Sequence, residues 1–477
     1  MIIFEVNTSI NRGLGDNIML IRGIVENFKS FDQKTELSMV SSSKIRKLPE
    51  HVTQIDGVKV LKHAAVYGAN ASGKSNLIEF LRFFQRTVGM GLSLGSSRQW
   101  CRTREENERK ESFFELQFSV GDDVYAYGFT ALLATRKITS EWLYDLKSRP
   151  AKMLLEWDGN SPEPTTSLAL NAKDRARFDT YAEDFEGGGA IPFLTELNRS
   201  KRIPEDSPLF VFLSTFRWLK RNFITLEPMQ PIPTRAHYFD EGGRRRLAEL
   251  LSGFDTGVSE ITERELQEDE LVDVVPRNVL KNALDEAERL LFEGEDSTLK
   301  YSLRGKKSSF VLLEVSTNGE LRASSLQIKH GAGQGVFEFG EESEGTQRLF
   351  DLAEILLSQE DDVTFVIDEL ERSLHPMLVR RFLKLFSDIN SKHRRQLLFS
   401  THEASIMDQE LFRRDEIWFM DRSSDGASKL YSLDRFKERY DKDVLKSYLQ
   451  GRYGAVPVFK DYVLEGGGRS DVADSRV

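Results

Sequence analysis

The sequence holds one cysteine, Cys101, in 477 residues, which excludes an internal disulfide and fits a reducing cytosol. It lacks any apolar run approaching the roughly 18 residues a membrane helix needs. Met1-Ile2-Ile3-Phe4-Glu5-Val6-Asn7 lacks the basic region and apolar core of a signal peptide. No membrane association and a cytoplasmic location are therefore expected. Basic excess is missing too: 66 Lys and Arg face 76 Asp and Glu, a net charge of −10. That balance argues against a chain coated in nucleic-acid-binding surface, while leaving room for a local basic groove. Heptads are never sustained over the length of a coiled-coil arm. No internal repeat or long low-complexity tract is evident. What remains is 39% hydrophobic and 30% charged, a composition of soluble globular chains long enough for two or three domains' worth of core.

The stretch that organises the chain is Gly68-Ala69-Asn70-Ala71-Ser72-Gly73-Lys74-Ser75, which fits G-x-x-x-x-G-K-[ST]. Backbone N–H groups can close around phosphate oxygens only where glycine permits the turn, at Gly68 and Gly73. Lys74 supplies a point charge for β- and γ-phosphates, and the Ser75 hydroxyl is a Mg²⁺ ligand. Ala64-Ala65-Val66-Tyr67 before it reads as a buried strand. Asn76-Leu77-Ile78-Glu79-Phe80-Leu81 after it opens an apolar-striped helix whose N-terminus faces the anion. The expected cradle is Gly68, Asn70, Ala71, Ser72, Gly73, Lys74, Ser75 and Asn76, holding ATP with Mg²⁺.

Upstream, Ile18 to Phe31 begins as a strand and turns at Asn27 to Ser30. Downstream, Met90 to Ser97 reads as a Gly/Ser-rich mobile loop. Residues 113–120, 124–129, 138–144 and 152–157 then read as an antiparallel meander. Gln117 has two readings, an exposed strand residue or a sensor of Mg²⁺ and γ-phosphate. Helical patterns occupy 208–223, 244–251 and 277–292. Basic clusters at Arg199-Ser200-Lys201-Arg202, Lys220-Arg221 and Arg244-Arg245-Arg246 read as solvated helix faces or nucleic-acid contacts.

Val363-Thr364-Phe365-Val366-Ile367-Asp368-Glu369 is an apolar run ending in two carboxylates. A buried parallel strand would deliver Asp368 to Mg²⁺ and place Glu369 to polarise the attacking water. A second such strand, Gln396-Leu397-Leu398-Phe399-Ser400-Thr401, ends at His402. Ahead of both, Ser343-Glu344-Gly345-Thr346-Gln347 starts an apolar-striped helix, where Ser343 is a good cap.

Phosphate loop, Ser-x-Gly helix start, Asp-Glu strand and His strand, in that order, resemble the ATPase heads of the ABC class. The Asn27-Phe28-Lys29-Ser30-Phe31 turn before the loop points to the SMC, RecF and overcoming-lysogenization branch, and the ending at Leu449 to Pro457 resembles ATPases of bacterial abortive-infection modules. The signature departs from Leu-Ser-Gly-Gly-Gln: Glu342 replaces Leu, Glu344 the first Gly, and Gln347 stands one place late. The resemblance implies an α/β ABC-type P-loop head with an antiparallel β-subdomain and an inserted helical lid. Residues 1–160 would form the first part of the head, 161–329 the lid, 330–460 the second part, and 461–477 a disordered tail.

The resemblance also implies site roles. Asn27, Phe28 and Lys29 would lie near adenine and ribose. Ser343, Gly345 and Gln347 would reach the γ-phosphate held by another subunit, and His402 would be the switch histidine, catalytic beside Glu369. A homodimer or higher homo-oligomer would sandwich ATP. The segment after His402 is shorter than the nuclease domain of overcoming-lysogenization proteins, so the effector would be a separate protein encoded nearby. DNA or a phage protein would be the trigger. The alternative is a RecF- or SMC-like repair ATPase binding duplex DNA.

Overall fold

The computed structural model describes residues 6–7, 18–198, 203–226, 240–281, 284, 298–304, 309–316, 318, 320–333, 335–358, 361, 363–437 and 443–457. The tail 461–477, the Arg199–Arg202 cluster and most of the helix expected over 277–292 lie outside the described residues.

The apolar runs on either side of the P-loop become strands of one sheet. Its order is β11 (Phe223–Leu226), β17 (Thr364–Ile367), β18 (Gln396–Thr401), β6 (His63–Tyr67), β19 (Ile417–Arg422) and β20 (Ser428–Ser432). The first five run parallel and β20 closes the edge antiparallel. Every residue of β6, β11, β17 and β18 is buried, as expected for parallel strands covered on both faces. Alternate side chains divide between two cores. Ala64 and Val66 join the layer containing helix α1 (Lys74–Met90), while Ala65 and Tyr67 join Phe350, Leu352 and Phe382 on the other side. Tyr67 pairs with Thr401, and Ile367 with Phe399. The loops after β6, β17 and β18 therefore leave from one edge, where ligands of open α/β sheets bind.

A second sheet is antiparallel, in the order β10 (Lys152–Trp157), β9 (Lys137–Asp145), β8 (Asp123–Leu132), β7 (Ser112–Val120), β2 (Met19–Glu26) and β3 (Thr35–Ser38). It is the meander read from the sequence, with the early strand Met19–Glu26 added to it. Helix α1 is wedged between the two sheets. Phe80 lies 6.3 Å from Phe114 and Phe84 5.3 Å from Phe129, and burial of such side chains contributes about 2–3 kcal/mol each. A short hairpin, β4 (Val52–Ile55) and β5 (Val58–Leu61), precedes β6.

The region 161–329 carries the expected helices, among them Phe210–Arg221 and Glu241–Ser252. It also supplies β11 to the central sheet. Beyond the helices it builds a third sheet, ordered β1 (Val6–Asn7), β13 (Thr298–Arg304), β14 (Phe310–Ser316), β15 (Leu321–His330) and β12 (Val258–Glu265), with β16 (Val336–Glu338) beside β15. Leu271, Val275, Leu299, Val311, Leu313 and Val315 give that sheet a small core of its own. Sequence reading missed these strands because charged residues such as Glu263, Arg264 and Glu314 interrupt them and mask the alternation. Leu94–Arg98, which overlaps the stretch Met90 to Ser97 read as a mobile loop, forms a short 3-10 turn.

Candidate active site

The loop after β6 closes tightly on its own backbone. Ala71 and Gly73 take positive φ of 60° and 110°. A Cβ on Gly68 would sit 2.4 Å from the Met420 carbonyl, and one on Gly73 2.1 Å from Ser428 Oγ. Only glycine fits either position. Ser428 holds the loop from behind, donating to the Ser72 carbonyl at 2.6 Å and lying 2.7 Å from Ser30 Oγ, which also accepts from Asn76 Nδ2 at 2.7 Å. The Ser72 hydroxyl is buried without a partner.

Lys74 is 4% exposed. Its ammonium donates to the carbonyls of Gly68 at 2.6 Å and Ala69 at 3.0 Å, and sits 3.3 Å from His402 Nδ1. Burial pulls the Lys74 pKa down to about 8, against the opposing pull of Glu371, Asp368 and Glu369. Burial, then the neighbouring Lys74, also lowers His402, which favours the neutral ring. With Nδ1 accepting from the ammonium, its proton is assigned to Nε2, which faces Glu369 Oε1 at 3.9 Å.

The carboxylates are placed from behind by β18. Ser400 Oγ donates to Asp368 Oδ1 and accepts the Glu369 N–H at 2.9 Å. Glu369 takes a left-handed φ of 50°, which turns the chain sharply just after the buried strand. Glu371 accepts the His402 N–H at 2.6 Å. Lys74, Asp368, Glu369 and His402 thus converge at one sheet edge. Ser400 and Glu371 were missed. Nothing in the string marks a serine two places before a histidine, or a second glutamate, as part of a site.

The hard-oxygen pair of a carboxylate, Asp368, and an exposed hydroxyl, Ser75, suits Mg²⁺. The glycine-only loop with its unpartnered Ser72 hydroxyl fits an anion. These residues fit the nucleotide and cation that the motif implies.

The other expected residues lie outside this cluster. Asn27, 3% exposed, donates to the carbonyls of Asn107 at 2.8 Å and Lys110 at 3.0 Å, and accepts from Cys101 N at 3.1 Å. Phe28 is buried against Phe83 and Phe114, at 5.0 and 5.4 Å. Lys29 does line a groove of about 710 Å³ beside the loop, with Asn76, Arg98, Trp100, Arg102 and Arg422. Gln117 lies mid-strand in β7, its amide donating to Glu115 at 3.0 Å. Ser343 caps the exposed start of helix Glu344–Leu357, accepting Thr346 N–H at 3.1 Å, and Gln347 donates to the Glu342 carbonyl at 2.9 Å. A Cβ on Gly345 would sit 2.9 Å from the Ser373 carbonyl, so this helix start packs on the turn after Glu369. Among the described residues, no hydrogen bond joins 343–347 to 68–76.

No curated protein matches the chain by sequence. Two solved structures similar to it are SMC heads. One, the crystal structure of an SmcHead bound to the C-winged helix domain of ScpA, is 16% identical with a TM-score of 0.39, covering 87% of this chain and 97% of that one. The other, the SMC head domain from Thermotoga maritima, is 14% identical with a TM-score of 0.33, covering 87% and 98%. Both scores are low, and the fold rests on the strand order and loops described above. A model of the AAA domain family described as putative AbiEii toxin, type IV TA system, matches residues 64–408, the span from β6 to just past His402. The chain belongs to this AAA domain family.

Proposed function

We propose that the chain binds ATP with Mg²⁺ at Gly68–Ser75 and hydrolyses it as an ABC-type ATPase. The supporting observation is the convergence of Lys74, Asp368, Glu369 and His402 at the end of three neighbouring parallel strands. Lys74 would leave its own loop carbonyls for the β- and γ-phosphates. Asp368 and Ser75 would hold Mg²⁺, which neutralises phosphate charge when bound. Glu369 would accept a proton from the attacking water, with the His402 Nε2–H holding the carboxylate or γ-phosphate in line.

Ser343 and Gly345 offer hydroxyl and N–H groups at an exposed helix N-terminus, where Gln347 would turn its amide from the Glu342 carbonyl to a ligand. They suit the γ-phosphate of a second copy, so ATP would bridge a head-to-tail homodimer. Its biological role would be that of sensor and scaffold in an anti-phage abortive-infection module, controlling a separate effector. The family description, with its type IV toxin–antitoxin wording, favours this over a RecF- or SMC-like repair ATPase. The experiment is phage plaquing on cells carrying the gene with its neighbours, beside a Lys74→Ala version, together with ATP turnover of the purified chain with and without duplex DNA. Protection that needs Lys74 supports the defence role. DNA-stimulated turnover without protection supports the repair role instead. Absence of ATP turnover in either setting refutes the enzymatic reading.

A further inference from the structure

At the opposite end of the P-loop strand, about 16 Å from Gly68 by strand rise, three side chains from distant parts of the chain meet in the interior. His51 ends the turn Pro49–His51, His63 begins β6, and Glu416 ends the turn Arg414–Glu416 that leads into β19. They are 3%, 1% and 0% exposed. His51 Nδ1 lies 3.0 Å from both Glu416 oxygens, and His63 Nδ1 lies 3.4 Å from Oε1. All three ligand atoms fall within 4.8 Å of one another.

A neighbouring hydroxyl favours one placement of the protons. The Ser387 hydroxyl donates to the Leu383 carbonyl at 3.0 Å and lies 3.2 Å from His63 Nε2. With that proton on the Leu383 carbonyl, Ser387 accepts from His63 Nε2–H, a tautomer assigned from this network. The bare Nδ1 lone pair then faces a carboxylate oxygen, and His63 Nδ1 is indeed a buried atom without a hydrogen-bond partner. Two acceptors facing each other in a dry interior are costly unless a cation lies between them. Glu416 is held rigidly for that purpose, since its Oε2 accepts the Arg413 N–H at 2.8 Å.

We propose that His51, His63 and Glu416 form a structural site for a divalent transition-metal ion, of which Zn²⁺ best fits the ligands. Two imidazole nitrogens and one carboxylate supply three of the four ligands of tetrahedral zinc, leaving the fourth to water, and bonds near 2.0–2.1 Å separate such ligands by about 3.3 Å. The contacts of 3.0 and 3.4 Å bracket that spacing. Ser387 on His63 Nε2 and Arg413 N–H on Glu416 are the outer partners that fix ligand orientation. Such an ion would staple the Pro49–His51 turn and the lead-in to β19 onto the first residue of the P-loop strand. The site stands on its own geometry and does not depend on ATP hydrolysis.

The test is metal analysis of the full-length chain, purified without chelator and dialysed, beside Glu416→Gln. The expected result is about one equivalent of Zn²⁺ in the wild type, lost in the variant. A second measurement needs no variant: Co²⁺ added to metal-stripped wild type should give the intense visible bands of a tetrahedral site, abolished by Zn²⁺. Wild type that neither retains Zn²⁺ nor gives those bands overturns the proposal. So does Zn²⁺ retained equally by Glu416→Gln, which places the ion elsewhere.

Discussion

The Ser400 hydroxyl joins the two acidic residues of the site, donating to Asp368 Oδ1 while accepting the backbone N–H of Glu369 at 2.9 Å. One residue at the end of β18 thus sets the geometry at the end of β17. Ser400→Ala should lower kcat for ATP by about 10–100-fold, the usual cost of removing an outer-shell partner. Nucleotide affinity should change far less, because Lys74 and the loop are untouched. Steady-state kinetics with a nucleotide titration separates the two; equal loss in both would assign Ser400 to loop integrity instead.

Glu369 lies opposite His402 Nε2 at 3.9 Å with its backbone in a left-handed turn. If it is the general base, Glu369→Gln should slow hydrolysis by at least about 100-fold while leaving ATP binding intact. ATP should then trap the variant as a dimer, seen by light scattering with ATP against ADP. Turnover at the wild-type rate would remove the base assignment.

Asn27 invites a different expectation from the one its position before the P-loop suggested. Its amide is spent on Asn107, Lys110 and Cys101, and its φ is 51°. Asn27→Ala should cost about 2–4 kcal/mol, from lost buried hydrogen bonds plus a left-handed alanine. The folded fraction should bind nucleotide with unchanged affinity. Denaturant unfolding and nucleotide titration read the two effects; weakened binding at full stability would return Asn27 to the ligand.

The legible parts of the molecule were those where a fully apolar strand ran straight into polar chemistry: Val66 into Gly68–Ser75, Ile367 into Asp368, Phe399 into His402. A parallel strand buried on both faces leaves that signature in the string. Asn27 and Phe28 belong to a turn that docks one loop onto another, and their side chains are spent on that docking. The strands Val258–Glu265 and Thr298–Arg304 were hidden by their charges, several of them paired across the sheet, as Lys300 is with Glu314 at 2.8 Å. His63 and Glu416 are brought together by the parallel pairing of β6 with β19, and His51 joins them through its carbonyl, which accepts the Lys62 N–H at 2.9 Å; no local pattern reports this.

Ser428 is the point where the C-terminal hairpin grips the P-loop, through the Ser72 carbonyl at 2.6 Å and Ser30 Oγ at 2.7 Å. Ser428→Ala should weaken ATP binding by roughly 5–30-fold, corresponding to about 1–2 kcal/mol for a lost buried hydrogen bond that orders the loop. Mutating neighbouring Lys429, which is exposed, should leave affinity unchanged. Comparable losses in both variants would mean that the whole hairpin is disturbed.

Glu141 gives the fold a pH dependence of its own. Fully buried, it accepts from Phe193 N at 2.6 Å, Leu194 N at 2.9 Å and Tyr127 OH at 2.9 Å, fastening the helix Phe193–Asn198 to β9. Burial pushes its pKa from the usual 4.5 up to about 7, with those three hydrogen bonds pulling the other way. Because the folded value lies above the unfolded one, the folded chain holds a proton that the unfolded chain has released between these two values. The contribution of this group to stability is therefore greatest below about pH 4.5 and falls as pH rises through 7, by up to about 3 kcal/mol. Glu141→Gln cannot titrate, so wild type should lose its stability relative to the variant between pH 5 and 8 in paired denaturant unfolding curves. A difference that stays constant across that range would mean Glu141 is ionised throughout, its three donors having outweighed burial.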